Sequence, residues 1–360
     1  MNNAYTEWNN ITSQLFDSYI LKYELQEIIY TNNYVLYDAD NIKIDSINNK
    51  FANVADICVI VPFFGRFQHV VNTCQSIIDA AAKTKLNIEL VLIEKADTQE
   101  DLKAHNFFAY SRFNMMPKNL QFFCIQKVHA NYKSKGLLMN LGALLRPNAK
   151  YYLVHDSDII VQSSFFNKIQ KNIERRGEVN FMQPYSNNRI LLTTPMLAEM
   201  YFTNIISNDD LNEKMPGVFV NKNWYQKQYS YGGSVLISNK AYYGVGGFDD
   251  QIFWTWGAED IMFWTKLIDK YGQPIYADYD INMFHIYHPP SINEQTSQGD
   301  FLNKMFTLSE KMWNMYQNID LNSRLNYINK KSKFLSKYKN LDIDIKDAIF
   351  KFKKISSRRL

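Results

Sequence analysis

An open, mostly parallel α/β sheet flanked by helices is the fold this sequence predicts, and three observations predict it. Short apolar, β-branched runs alternate with segments of helical period between residues 57 and 161. Each of the clearest runs stops at a residue that ends strands or carries chemistry: Pro62, Glu94 and Asp156. In sheets of this class ligands sit beyond the carboxyl ends of the strands, so those three positions are expected around one crevice. The chain of 360 residues is also long enough, at 46% hydrophobic and 21% charged, to bury a proper core.

The elements follow in order. Residues 1–50 read as a helical lead-in, with Leu21, Leu25 and Ile28 at helical spacing, before an Asn-rich stretch. Ile57–Pro62 is a buried strand stopped by proline, and Val70, Cys74, Ile77 and Ile78 mark the helix after it. Ile88–Ile93 and Gln121–Val128 are further strands, and Leu137–Leu145 is a helix. The run Tyr151–Val161 reads as one buried strand interrupted by His155-Asp156-Ser157-Asp158. A polar middle section, about 163–228, precedes a strand at Ser234–Ser238. The stretch Gly244-Val245-Gly246-Gly247 is too glycine-rich for a regular element, and suits either close approach of a ligand or a loose loop. Ile261, Trp264 and Ile268 mark a last helix, and the unit closes on His285-Ile286-Tyr287-His288-Pro289-Pro290. There is no internal repeat.

Composition excludes several classes. No segment reaches the ~18 apolar residues of a membrane span, and the first residues lack the layout of a secretory signal. Cys58, Cys74 and Cys124 are widely spaced, with neither zinc spacing nor a disulfide framework, which points to a reducing, cytoplasmic setting. The net charge of +4 is uneven: Lys330–Leu360 carries 11 Lys or Arg against 3 Asp, leaving the rest of the chain negative. That tail reads either as a solvated end or as attachment to an anionic membrane surface. The negative body argues against a nucleic-acid partner.

A carboxylate inside an apolar run costs on the order of several kcal/mol unless something compensates it. A divalent cation is one compensator; two turn aspartates with exposed heads are the other reading. Asp158 supplies one possible metal arm, and His285 and His288 supply nitrogen donors, a mixed set that suits Mn²⁺, with Mg²⁺ as the oxygen-favouring alternative. Such a cation commonly bridges the phosphates of a nucleotide. Arg66, four residues past Pro62, can assist as a guanidinium on phosphate. Neither the P-loop nor the Gly-x-Gly-x-x-Gly fingerprint is present. Glu259-Asp260 stands at a helix start, where acids are favoured structurally, yet one of them can also take a proton from an attacking hydroxyl. Trp256 beside them can stack on a sugar ring or fill core.

The order of these pieces resembles the metal-dependent, inverting glycosyltransferases of the GT-A fold, especially the β-1,4-galactosyltransferase family and bacterial capsule and chondroitin-type polymerases. The matching stretches are Val59–Arg66, Lys135–Gly142, His155–Asp158, Tyr231–Ser234, Gly246–Phe248, Trp256–Asp260 and His285-x-x-His288. The resemblance implies that Pro62, Phe63 and Arg66 hold a nucleotide, with Asp156 on the ribose and Asp158 on the metal–diphosphate. His288 completes the metal site, with His285 beside it. Glu94, Lys135, Asn140, Ser157 and Gly233 would also line the donor site. It makes Asp260 the catalytic base, with Glu259, Trp256 and Gly257 positioning donor and acceptor sugars. Ile261 departs from the family's pattern, so the acceptor contacts are expected to differ; Ala258, in place of a glycine, is a small change that should be tolerated.

The resulting expectation is a Rossmann-like GT-A enzyme with helical N- and C-terminal extensions. Residues 1–55 form the first extension and 56–295 the catalytic domain, split at 162 into nucleotide and acceptor halves. Residues 296–360 form a basic helical tail. It would move a hexose or N-acetylhexosamine from a UDP-sugar to a glycan or lipid-linked glycan, in capsule or lipopolysaccharide synthesis. A sugar-phosphate nucleotidyltransferase and a nucleic-acid-binding protein are the competing classes.

Overall fold

The computed structural model describes residues 6, 8, 54–96, 117–128, 135–185, 191–193, 195–203, 206, 232–250, 253, 258–278, 281–288 and 297–339. Strand β1 (Ile57–Phe63) is buried at all 7 positions. Its side chains alternate between two cores: Cys58 and Ile60 enter one, and Ile57, Val59, Val61 and Phe63 the other. A strand covered on both faces requires that alternation. Helix α1 (Phe67–Ala81) places Val70, Cys74, Ile77 and Ile78 on the second core, as their spacing predicts. Strand β2 (Ile88–Ala96) runs parallel to β1, with Phe63 opposite Glu94. Strand β3 (Leu120–Val128) is parallel to β2 on its far side. Helix α2 (Lys135–Leu145) covers the first core with Leu137, Leu138, Leu141 and Leu144. It lies so near β1 that a Cβ on Gly142 would stand 2.6 Å from Ile60 Cγ2, so glycine is what permits the approach.

Strand β4 (Tyr151–His155) pairs parallel with β1 on the other side. Here the structure corrects the sequence reading, because Tyr151–Val161 is two strands. The chain turns at Asp156, and β5 (Ile159–Val161) belongs to a separate three-stranded sheet. Asp-Ser-Asp is turn chemistry, and the apolar residues beyond it find burial against a different partner strand.

The middle section is also more ordered than its polarity suggests. It contains α3 (Phe165–Arg176), β6 (Phe181–Gln183), β7 (Leu191–Leu192) and α4 (Pro195–Phe202). Strand β8 (Ser234–Ser238) runs antiparallel to β4, with Ser234 opposite His155. Then come α5 (Asn239–Gly244), α6 (Glu259–Tyr271), β9 (Ile275–Tyr276) and β10 (Met283–His285). The main sheet has 7 strands in the order β3-β2-β1-β4-β8-β6-β9. It is mostly parallel, and β8 supplies the antiparallel pairings. The smaller sheet runs β5-β10-β7. The ends of β1, β2 and β4 and the start of β8 therefore meet along one edge.

Helices α7 (Ser297–Asn318) and α8 (Leu321–Lys339) follow one another with a short break at Ile319 and Asp320. Asp320 caps α8 by accepting from Ser323 N at 3.0 Å and Ser323 Oγ at 2.7 Å. Both helices are packed into the body: Ile328 and Leu335 enter the first core, and Met312, Tyr316 and Tyr327 cluster with Trp8, Phe253 and Met262. The glycine-rich stretch, open to two readings from the sequence, is closed packing. Gly247, at φ 63°, sits against Asn140 and Leu335, and Gly246 against the α8 backbone. Beneath it Lys266 Nζ lies 2.6 Å from Asp249 Oδ2, and Lys331 Nζ lies 3.0 Å from Asp250 Oδ1, all nearly inaccessible. Lys331 is thus spent in the interior, leaving less of the basic block for any surface role. Residues 340–360, most of residues 1–50, Trp256 and Gly257 lie outside the described residues. Among the described residues no helix is long and apolar enough to cross a membrane.

Candidate active site

The turn after β4 is built by its own residues. His155 is fully buried; its Nε2 lies 2.9 Å from the Ile159 carbonyl and its Nδ1 2.9 Å from Ser234 Oγ. A carbonyl only accepts, so Nε2 carries the hydrogen; burial pushes the ring's pKa down, leaving Nδ1 to accept from Ser234. This neutral histidine spans four residues and braces the turn that presents Asp156 and Asp158. The Asp156 amide donates to the Gly233 carbonyl at 2.8 Å, and the Ser157 carbonyl accepts from Thr73 Oγ1 at 2.9 Å. Sequence reading attached no role to His155; its place at the end of an apolar run, just before the carboxylates, was the available signal.

From the other sheet, β10 and the residues just after it deliver two imidazoles. His285 Nε2 lies 3.5 Å from Asp158 Oδ1, and His288 Nε2 lies 3.3 Å from Asp158 Oδ2. One ligand atom from each of Asp158, His285 and His288 falls within 4.8 Å of the others. The segment carrying the histidines is tied at every step. Ile286 N donates to the Asp158 carbonyl, Thr193 N to the His285 carbonyl, and Tyr287 N to Thr193 Oγ1. His69 Nε2 donates to the Tyr287 carbonyl at 3.1 Å. His69 and Thr193 were not singled out in the sequence; only the fold brings them here.

Burial works against an Asp158 anion, but contact with the His288 and His285 rings and with Arg66 outweighs it and holds the carboxyl well below the usual range. Asp158 is 7% exposed, and its Oδ1 accepts no hydrogen bond. A buried, ionised oxygen without a donor is poorly satisfied by protein alone. One carboxylate oxygen with two imidazole nitrogens is a donor set that fits Mn²⁺. Arg66 reaches the same group, with Nη1 3.0 Å from Asp158 Oδ2 and 2.7 Å from His288 Nε2.

A second cluster adjoins the turn. Lys135, at the start of α2, places Nζ 2.6 Å from Asp156 Oδ1 and 3.0 Å from Asp260 Oδ2. Asp260 stands in the first turn of α6, beside buried Glu259. Lys135, Asp156, Gly232, Gly233 and Asp260 line one cavity, floored by Phe248, Phe263 and Trp264. Burial raises the Asp260 carboxyl, opposed by the Lys135 charge and reinforced by Asp156. Burial alone would lower Lys135; Asp156, Asp260 and Glu259 instead hold its ammonium well above the usual value.

The structure thus gathers Arg66, Lys135, Asp156, Ser157, Asp158, Gly233, Glu259, Asp260, His285 and His288 along the sheet edge where the strand ends meet. Four expected residues sit differently. Asn140 is fully buried and faces the glycine stretch: its Nδ2 donates to the Phe248 carbonyl, and its Oδ1 accepts from Tyr242 OH and Phe248 N. Its amide is engaged in structure, away from a nucleotide. Pro62 and Phe63 are buried, Phe63 at 2% exposure in the core, while Phe64 is 39% exposed at the same strand end. Glu94 is buried, at 1% exposure, and lies within β2, which continues to Ala96.

Residues 216–289 match the family model described as the N-terminal domain of galactosyltransferase. The matched stretch includes Gly233, Glu259, Asp260, His285 and His288, and it agrees with the resemblance read from the sequence. No curated protein matches the chain. Similar solved structures include a mutant Drosophila beta-1,4-galactosyltransferase 7 with manganese, UDP-Gal and xylobiose, at 12% identity, 69% of this chain, 79% of that chain and TM-score 0.40. Another is S. aureus TarS 1–349 with UDP, at 14% identity, 79% of this chain, 71% of that chain and TM-score 0.42. A third is GalNAc-T7 with UDP, GalNAc and Mn²⁺, at 14% identity, 80% of this chain, 55% of that chain and TM-score 0.45.

Proposed function

We propose that this chain is a metal-dependent, inverting glycosyltransferase that moves a hexose or N-acetylhexosamine from a UDP-sugar to a glycan hydroxyl, in the assembly of a bacterial surface polysaccharide. The observation that carries the reading is the convergence of Asp158, His285 and His288, from segments far apart in sequence, next to the Lys135–Asp156–Asp260 cluster. The galactosyltransferase match over 216–289, which contains the histidines and Asp260, supports it.

Asp158, His285 and His288 would hold the cation, Mn²⁺ by donor type or Mg²⁺. Bound there, it supplies Lewis acidity to a departing diphosphate. Arg66 and Lys135 are the cations placed to bind phosphate oxygens. Asp260 takes the proton from the acceptor hydroxyl. The hydroxyl oxygen then bonds to the anomeric carbon as the bond to UDP breaks. One displacement from the opposite face inverts that carbon. Lys135 opposes the upward shift that burial and Asp156 impose on the Asp260 carboxyl, favouring the ionised form that acts as a base.

Thermal melting with a panel of nucleoside diphosphates and UDP-sugars, with and without Mn²⁺, tests the proposal. A ligand at 100 times its dissociation constant stabilises by about 2.7 kcal/mol, which melting resolves. UDP with Mn²⁺ is expected to raise the melting temperature more than either alone, and more than ADP or GDP with Mn²⁺. Absence of any nucleotide effect would contradict the reading. Stabilisation only by nucleoside triphosphates, with release of pyrophosphate, would favour a nucleotidyltransferase.

A further inference from the structure

We propose that Arg66 is the resting counter-cation of the Asp158–His288 pair, and that it moves onto the donor's diphosphate when a divalent cation takes its place. The inference rests on the metal reading above and adds an order to it: the cation enters well only together with the donor. The contacts are specific. Arg66 Nη1 lies 3.0 Å from Asp158 Oδ2 and 2.7 Å from His288 Nε2, atoms of two of the three groups that would hold a metal. A metal held by Asp158 and His288 would use these same two atoms, so the two cations exclude each other.

Three further features mark the pairing as a resting arrangement. It is incomplete: Asp158 Oδ1 is buried and accepts no hydrogen bond while Arg66 covers only Oδ2. Arg66 approaches from the solvent side, its side chain 36% exposed against 9% for Asp158, so it can leave without repacking the core. Its backbone is at φ 22°, ψ 50°, directly after Gly65 at φ 73°. That region is sparsely populated for a residue with a Cβ, and strain of this kind gathers where a segment must change state. A diphosphate offers the released guanidinium a bidentate partner of the same charge as the carboxylate it leaves.

The cost to a lone cation follows from competition. If Arg66 holds the position nine-tenths of the time, the apparent affinity for the metal falls about tenfold. Mn²⁺ binding to the full chain without nucleotide, read from the electron paramagnetic resonance of the free ion, tests this in wild type, Arg66→Gln and Lys135→Gln. Lys135 sits on Asp156, so its variant measures the general effect of removing a nearby positive charge. Arg66→Gln is expected to bind Mn²⁺ about tenfold more tightly than wild type, and more tightly than Lys135→Gln. Without the ion, Arg66→Gln is expected to melt below wild type, because Asp158 has lost its partner, and Mn²⁺ should restore it. Equal or weaker binding by Arg66→Gln, or equal tightening by both variants, overturns the inference and leaves the metal site standing. No Mn²⁺ binding by any of the three overturns both.

Discussion

Asp260→Asn is expected to lower the turnover of sugar transfer by roughly 10²–10⁴-fold while leaving donor binding intact, the usual worth of a positioned general base. Asparagine keeps the size of the side chain and an oxygen that can accept from Lys135, so the fold and cavity should survive. What it removes is a group able to take a proton. The pH profile gives a sharper readout than the rate. A base works when ionised, so activity falls as pH drops through its pKa. Burial raises the Asp260 carboxyl above the ordinary Asp value, with Lys135 opposing and Asp156 reinforcing. The acidic limb of kcat/KM should therefore lie above the ordinary aspartate value in wild type and vanish from the residual activity of Asp260→Asn. An unchanged limb in the variant would assign the base elsewhere.

Lys331→Met is expected to destabilise the protein by about 3–5 kcal/mol, the usual result of breaking a buried ion pair from one side. The pair Lys331–Asp250 is 3.0 Å long with side chains 2% and 1% exposed, so Asp250 would remain as a buried charge. The neighbouring elements concentrate the effect. Tyr327 donates to Asp249, Lys266 pairs with Asp249 and donates to the Gly247 carbonyl, and Gly246 packs on the α8 backbone at Lys331. The network fastens α8 to the loop between α5 and α6, and so to the helix that starts at Glu259. Denaturant unfolding of Lys331→Met and of Lys331→Met with Asp250→Asn checks it. Neutralising both partners should recover part of the loss, because no lone buried charge is left. A single variant as stable as wild type would show that the pair contributes nothing.

The legible part of this fold was its local periodicity. β1, α1, β2, β3, α2, β8 and α6 fall where apolar spacing places them, because each has one regular pattern and an obvious stop. Partner choice was not legible. Nothing in Tyr151–Val161 announces that Ile159–Val161 leaves the main sheet to pair with Met283–His285, since the apolar pattern continues on both sides of the turn. A turn and a buried carboxylate are not alternatives here: the turn exists, and it buries Asp158. The basic C-terminal block concealed Lys331 in the same way, because charge counting sees composition and not the Asp250 awaiting it. At the site, residue types with few roles, such as Asp158 and the paired histidines, were visible from sequence. His155, His69 and Thr193, which hold those residues in place, become visible only once distant segments meet. Asn140 shows the opposite error: a polar residue in a familiar stretch whose amide is consumed by the Gly247–Phe248 backbone.

The central claim is that Asp158 and two imidazoles from β10 and the loop after it share one cation. Isothermal titration of Mn²⁺ into wild type and Asp158→Asn, each saturated with UDP and confirmed folded, tests it most directly. One ion should bind wild type, and the variant should lose about a hundredfold or more in affinity, beyond what outer-sphere changes typically cost. Equal affinity in both proteins would contradict the account.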